Sequence, residues 1–365
     1  MTAAAPEWAF AAALAGLPYM AWDRLGAILA EAGGEPREAW RHVAQGCAGD
    51  AWARAAAAVP VEAVADAHIR AGVRVHLHHR DGYPPALAED HEAPPVVFTL
   101  GSPSALDEHI PRAGIIGTRR CTGYGRDVAR DFGRELSAAG VAVVSGLAMG
   151  IDGASHEGAL EAVPVGARPI AVVGSGLDVV YPRRHALLWR RVAESGLIIS
   201  EAPLGCRPEP WRFPARNRII AALSDVLVVV ESHPAGGSLH TVRSAEERGV
   251  TVMAVPGPVR SKASAGTNRL LSEGCPPACD VDDVRVALAL ETAGRSGRDD
   301  PDSRPAPEET DAAVLAILGW EAVSLEEVMA RSGLAPARVA LALAHLEQGG
   351  WARGAAGWWE RAAAP

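Results

Sequence analysis

Apolar and polar positions divide the chain into stretches of different rhythm. Up to about residue 75, apolar residues recur at helical spacing between glycine stops. LAGLPYMAWDRLGAILAEAGG shows the pattern: a Gly-Leu-Pro turn, a helical apolar repeat, then Gly33-Gly34. Short Ala/Trp-rich helices are expected there. From about 75 to 285, continuous apolar runs alternate with amphipathic segments. The runs are VVFTL, AGIIG, VAVVSG, PIAVVG, LIIS, VLVVVE and VTVMAVPG. Unbroken Val/Ile runs suit strands buried on both faces, so an α/β core with a mostly parallel sheet and helices on either side is expected. Residues 291–308 are charged, rich in Pro and Gly and without periodicity, and read as a linker. Beyond them, DAAVLAILGW, SLEEVMARSG and PARVALALAHLEQGG predict three short helices, and WARGAAGWWER a small β-wing. Three helices and a wing make the winged-helix pattern. The expected division is 1–75, 76–290, 291–308 and 309–365.

Composition refines this outline. The chain has 365 residues, 48% of them hydrophobic, enough for a sizeable core. No apolar run approaches the ~20 residues of a membrane span. The N-terminus carries Glu7 and lacks a basic start, so it does not read as a secretory signal. Five scattered cysteines make no disulfide framework, and a cytoplasmic location is expected. Cys275 and Cys279 have no nearby His or second cysteine pair to complete a zinc site. The formal net charge is -9, yet 112–280 holds 20 Arg and Lys against 16 Asp and Glu. All of those cations but Lys262 are arginines, whose planar fork suits phosphates. A GC-rich genome would produce the same bias.

In an open parallel sheet, ligands bind at the C-terminal ends of the strands. The loops expected there share a chemistry. In GIIGTRR, Gly117 lets backbone amides approach an anion and Arg119 adds a fork donor. In SGLAMGIDGASHEG, Ser145 and Gly146 end a strand. Asp152 is either a helix N-cap or one half of a His-Asp pair with His156 one turn later, for which no nucleophile has a place. Gly174 and Gly176 permit close backbone approach, and Tyr181 stands beside Arg183 and Arg184. WRFPARNR places Phe213 among Arg212, Arg216 and Arg218. Gly236-Gly237-Ser238 and Thr241 open a further helix, and Arg260, Lys262 and Arg269 surround a Gly-rich loop. Repetition over successive strands predicts a phosphate-lined crevice. No GxGxxG fingerprint and no GxxxxGK[ST] loop occurs, which argues against a nicotinamide cofactor and against ATP hydrolysis.

Taken in order, DGYPPALAEDHEAPPVVFTLG, GIIGTRR, SGLAMGIDGASHEGAL, GSGLDVVYP, RFPARNRIIAALSDVLVVVE, GGSLHT, AVPG and AGTNRLLSEG resemble the DNA-processing A (DprA/Smf) family over about residues 75 to 285. The resemblance implies a Rossmann-like core that binds single-stranded DNA, with no catalysis and no cofactor. It further implies a homodimer formed through that core, which loads the RecA recombinase in natural transformation or related recombination. A single-strand-binding protein is a further expected partner. The family's Gly-Ser-Arg motif falls on Gly117, Thr118 and Arg119, and its Ser-Gly pair on Ser145 and Gly146. The basic residue after Tyr-Pro is Arg183, and Phe-Pro-x-Arg-Asn-Arg is intact at Phe213, Pro214, Arg216, Asn217 and Arg218. The Ser-Gly-Ser loop reads Gly236-Gly237-Ser238, with Val242 where Ala follows the Thr. The implied DNA contacts also include Gly174, Gly176, Gly237, Ser238, Thr241, Lys262 and Asn268. GCPPACD departs from the apolar segment usual in the family.

Three points stay open in the residues themselves. Arg216 and Arg218 either hold a DNA backbone, or one pairs with Glu201 or Glu231. The N-terminal helices are either a helix-hairpin-helix-like module or a plain cap. The winged helix, whose reading helix would carry only Arg338 and His345 as basic residues, either contacts protein or reads DNA. GGSLHTVRSAE is also loosely similar to nucleotide phosphoribohydrolases, with Glu246 as the acid.

Overall fold

The computed structural model describes residues 5–163, 165–289, 304–319 and 322–362. Five helices come first: α1 (Glu7–Ala15), α2 (Trp22–Glu31), α3 (Pro36–Ala44), α4 (Asp50–Ala57) and α5 (Val61–Arg70). Five of the nine residues of helix α1 are alanines, all of them buried, so α3 and α5 pack close to its backbone.

The sheet has eight strands: β1 (Arg74–Leu77), β2 (Val96–Gly101), β3 (Arg112–Ile116), β4 (Ala142–Ser145), β5 (Ile170–Val173), β6 (Leu197–Ser200), β7 (Val226–Val229) and β8 (Thr251–Ala254). Their order is β1-β2-β6-β5-β4-β3-β7-β8. Strands β3 to β8 are mutually parallel, while β2 pairs antiparallel with both β6 and β1. All seven expected apolar runs are strands. Strand β1 was not expected: RVHL alternates polar and apolar residues, is half-buried, and adds only an edge.

Helices cover both faces of the sheet. After the single turn α6 (Pro85–Ala88) come α7 (Gly123–Ala138), α8 (Ile151–Ala162), α9 (Ala186–Ser195), α10 (Arg212–Ala222), α11 (Ser238–Glu246), α12 (Ala265–Ser272) and α13 (Val281–Ala287). Leu227 and Val229 face Ile219, Ile220 and Val242 on one side, while Val226 and Val228 face Phe132, Leu136 and Val284 on the other. Fully burying such a side chain stabilises by roughly 1.5–3 kcal/mol. Helices α7 and α8 cross closely because Gly133 and Gly158 have no Cβ; one added at either would collide with the facing backbone. The two prolines of GCPPACD lie along edge strand β8. Pro276 O accepts from Ala254 N (3.0 Å) and Ala278 N donates to Ala254 O (3.0 Å). Prolines donate no hydrogen bond, so they cover this edge without extending it.

The C-terminal part comprises α14 (Glu309–Leu315), α15 (Leu325–Ser332) and α16 (Pro336–Gln348), with β9 (Val323–Ser324), β10 (Ala352–Ala355) and β11 (Trp358–Arg361) in the order β10-β11-β9. This is a winged helix. It has its own core of Val314, Leu318, Val328, Val339, Leu343 and Leu346. Ser324 caps α15 and Gly333 ends it at φ 64°. The wing rests on α7. Arg353 Nη2 lies 3.0 Å from Asp127 Oδ1, and Glu360 accepts from the Gly123 backbone N–H. Most of the expected linker, 291–303, lies outside the described residues; Arg304 stacks on Trp351 at 3.8 Å. Among the described residues no helix is long and apolar enough to cross a membrane.

Candidate nucleic-acid interface

Strand β3 leads through α7 to β4 on one side, while its other neighbour is β7. The loops after β3 and β7 therefore diverge, and a crevice of about 800 Å³ opens between them at the strand ends. Its walls are residues 117–120, the first turns of α10, and the start of α11.

The loop from β3 to α7 is pinned at both ends by Glu231, which is 1% exposed. Thr118 N donates to Glu231 O (2.8 Å). Thr122 donates to the Glu231 carboxylate through N (2.9 Å) and Oγ1 (2.6 Å), and Thr122 Oγ1 caps α7 by accepting from Gly125 N (3.1 Å). Gly117 is required here, because a Cβ would strike Ile151 and the Glu231 backbone. Between the pins, Arg119 and Arg120 stand exposed on the crevice wall. The Arg119 guanidinium lies 5.2 Å from the centre of the Phe213 ring, and Phe213 stacks against Tyr181 with centroids 5.4 Å apart. Exposed cation and paired rings thus occupy one corner.

Arg216 forms the floor. It is 6% exposed and donates to Val172 O, with Nη2 3.8 Å from Asp152 Oδ2. Its guanidinium lies on Gly146, where any Cβ would collide with it. Burial pushes the Asp152 carboxyl up, opposed by Arg216 and by the N–H groups of Ala148 and Gly146. Burial likewise lowers Arg216 from the usual guanidinium range, against the pull of Asp152. Of the two readings of Asp152, the N-cap is overturned: Gly150 holds that position, and Asp152 ties down the preceding loop. His156 is fully buried and pushed down to about 3 by burial, so it stays neutral in the core.

Of the residues singled out in the sequence, Arg119, Phe213, Arg216, Asn217, Gly237, Ser238 and Thr241 meet on this crevice. Gly146 and Gly174 line a recess of about 60 Å³ beside it, shared with Tyr181 and Phe213. Gly117, Asp152, Tyr181, Pro214 and Gly236 line it as well, and the remaining residues are elsewhere. Arg218 is 5% exposed, paired with Glu201 and stacked 4.5 Å over Trp22, so it joins the core to α2 and does not face the crevice. Ser145 Oγ donates to Ile115 O (2.6 Å) inside the sheet. Gly176 N donates to Cys206 O (2.9 Å). Asn268 clamps Gly257, donating from Nδ2 to its O (3.0 Å) and accepting from its N (3.2 Å). Arg183 and Lys262 are exposed, outside the crevice lining. Arg120, His233 and His240 line the crevice and were not singled out. The signal for His240 was present, since it lies one helical turn after Gly237.

Glu246 lines a separate groove between α11 and α12, and Asp152 is the only carboxylate among the described crevice residues.

A Rossmann-like sheet with an open crevice at its switch point, carrying free arginines, stacked rings and glycine-rich helix starts, defines a protein built to hold anionic, ring-bearing ligands. The chain belongs to the DNA recombination-mediator protein A family, whose model matches residues 74–289, and the DprA winged helix domain matches residues 298–357. Protein Smf of Escherichia coli is 36% identical over 279 residues, covering 74% of this chain and 72% of that protein. DNA processing protein DprA of Bacillus subtilis is 36% identical over 202 residues, covering 55% and 67%. Among solved structures, DprA of Streptococcus pneumoniae superposes with a TM-score of 0.61 at 28% identity, covering 79% of this chain and 99% of that one. DNA processing protein A of Helicobacter pylori, described for its single-stranded DNA binding mode, gives 0.53 at 28% identity, covering 60% and 95%.

Proposed function

We propose that this chain binds single-stranded DNA in the strand-end crevice, shields it, and loads the RecA recombinase onto it during transformation or recombination. One observation carries the binding step: Arg119, Arg120, Tyr181 and Phe213 stand together on an open crevice. Bases stack on rings and phosphates pair with guanidinium forks, a combination that tolerates any sequence. The recombinase step, a homodimer through the core and contact with a single-strand-binding protein rest on membership of a recombination-mediator family. The core works without catalysis or cofactor, inside the cytoplasm, in a chain divided near residues 75, 290 and 308.

The test is binding to single- and double-stranded DNA of equal length across a salt series. Single strands should bind tighter, and the logarithm of affinity should fall linearly with the logarithm of salt as counterions are released. Equal affinity for both forms, or a flat salt response, would sink this reading.

A further inference from the structure

A second exposed ring lies beside an arginine outside the crevice. Trp211, just before α10, keeps 37% of its surface exposed, whereas Trp189 keeps 4%. Its indole is held firmly. Nε1 donates to Glu209 Oε2 (3.0 Å), Arg212 Nε donates to the same oxygen (3.1 Å), and the Arg212 guanidinium covers the ring at 4.4 Å. An exposed aromatic already fixed in place loses little further freedom when a planar group stacks on it.

The surroundings connect this ring to the crevice. Trp211, Arg212 and Trp22 line a seam between the core and α2, whose wall includes Gly174 and Arg216. Gly174 and Arg216 also line the recess beside the crevice. Crevice, recess and seam thus share walls along the strand ends. Glu209 pairs with Arg212, so the guanidinium that covers this ring is already neutralised.

We propose that Trp211, backed by Arg212, is a second base-stacking platform. It takes a nucleotide of the same strand where that strand leaves the crevice toward the N-terminal helices. The proposal rests on the single-stranded DNA reading above. Its chemical signature differs from that of the crevice arginines: it should contribute affinity but no salt dependence.

The test uses the full chain and fluorescein-labelled oligothymidylate of about 16 nucleotides, the upper range for one such groove, with one abasic residue moved along the strand. The unmodified protein should show two positions at which loss of a base weakens binding. Trp211→Ala should lower affinity about tenfold, the scale of one stacked base. It should leave the salt slope unchanged and erase only one of the two sensitive positions. Trp211→Phe should restore most of the affinity, and keeps the test valid should the alanine variant fold poorly. Phe213→Ala should erase the other position. Unaltered binding by Trp211→Ala, or an unaltered abasic profile, overturns the proposal while leaving the crevice reading intact. If the unmodified protein does not bind the oligonucleotide at all, both readings fall together.

Discussion

Arg119 and Arg216 meet in one crevice but depend on it differently. Arg119 is exposed, with its guanidinium over the Phe213 ring and within electrostatic reach of Asp152 and Arg216. Arg119→Ala should leave the thermal midpoint unchanged, weaken single-stranded DNA binding by about 1.5–3 kcal/mol, and reduce the salt slope by about one phosphate. Arg216 is buried against Asp152 and Val172 O. Arg216→Ala strands a buried carboxylate, and breaking such a pair costs about 3–5 kcal/mol. Both the melting temperature and DNA binding should fall, because the loop tied down by Asp152 loses its floor. Melting and anisotropy on the two variants check this; an Arg216→Ala protein that melts like its parent would show the pair to be idle. The motif FPARNR named all the right residues but not their directions. Positions 216 and 218 are two apart on a helix, about 200° around its axis. Arg216 therefore reaches the crevice floor while Arg218 reaches Glu201 and Trp22 on the far side.

At the scale of elements, the crevice wall depends on how the loop between β3 and α7 is tethered. Glu231 holds Thr118 and Thr122 on either side of the two exposed arginines. Glu231→Gln removes the charge from the hydrogen bonds that Thr122 donates; hydrogen bonds to charged groups are worth about 1.5–3 kcal/mol. The variant should lose stability on that scale in urea melts, and single-stranded DNA affinity should drop with it although Glu231 touches no ligand. Parental affinity in the variant would mean that the loop holds its shape without the tether. The strands were legible because a strand buried on both faces leaves an unbroken apolar run. Edge strand β1 left none, since RVHL has one polar side and little cover. Loop contacts were the least legible. Asn268 looked like a DNA contact in AGTNRLL, yet its amide is spent on Gly257 eleven residues earlier, a closure that no local pattern announces.

At the scale of the whole molecule, the winged helix has a core separate from that of the sheet. A chain ending at residue 290 should remain folded, because the clusters that pack the sheet contain no winged-helix residue. It should bind single-stranded DNA within a few fold of the full chain. A loss of ~100-fold, about 2.7 kcal/mol, would instead make the winged helix a DNA reader. The wing's seat on α7 adds a complication. Arg353 is 41% exposed in its pair with Asp127, so added salt screens that contact. A tethered module faces its seat at an effective concentration set by the connecting chain and independent of dilution. Ionic strength, rather than protein concentration, thus governs whether the wing is docked. Glu360 sits on the first turn of α7, accepting from Gly123 three residues after Arg120, so docking places a carboxylate on the helix that follows the crevice loop. In the full chain, salt would weaken strand binding and withdraw this acidic neighbour together, flattening the measured slope. The number of phosphates the crevice neutralises is better counted on the chain without its wing.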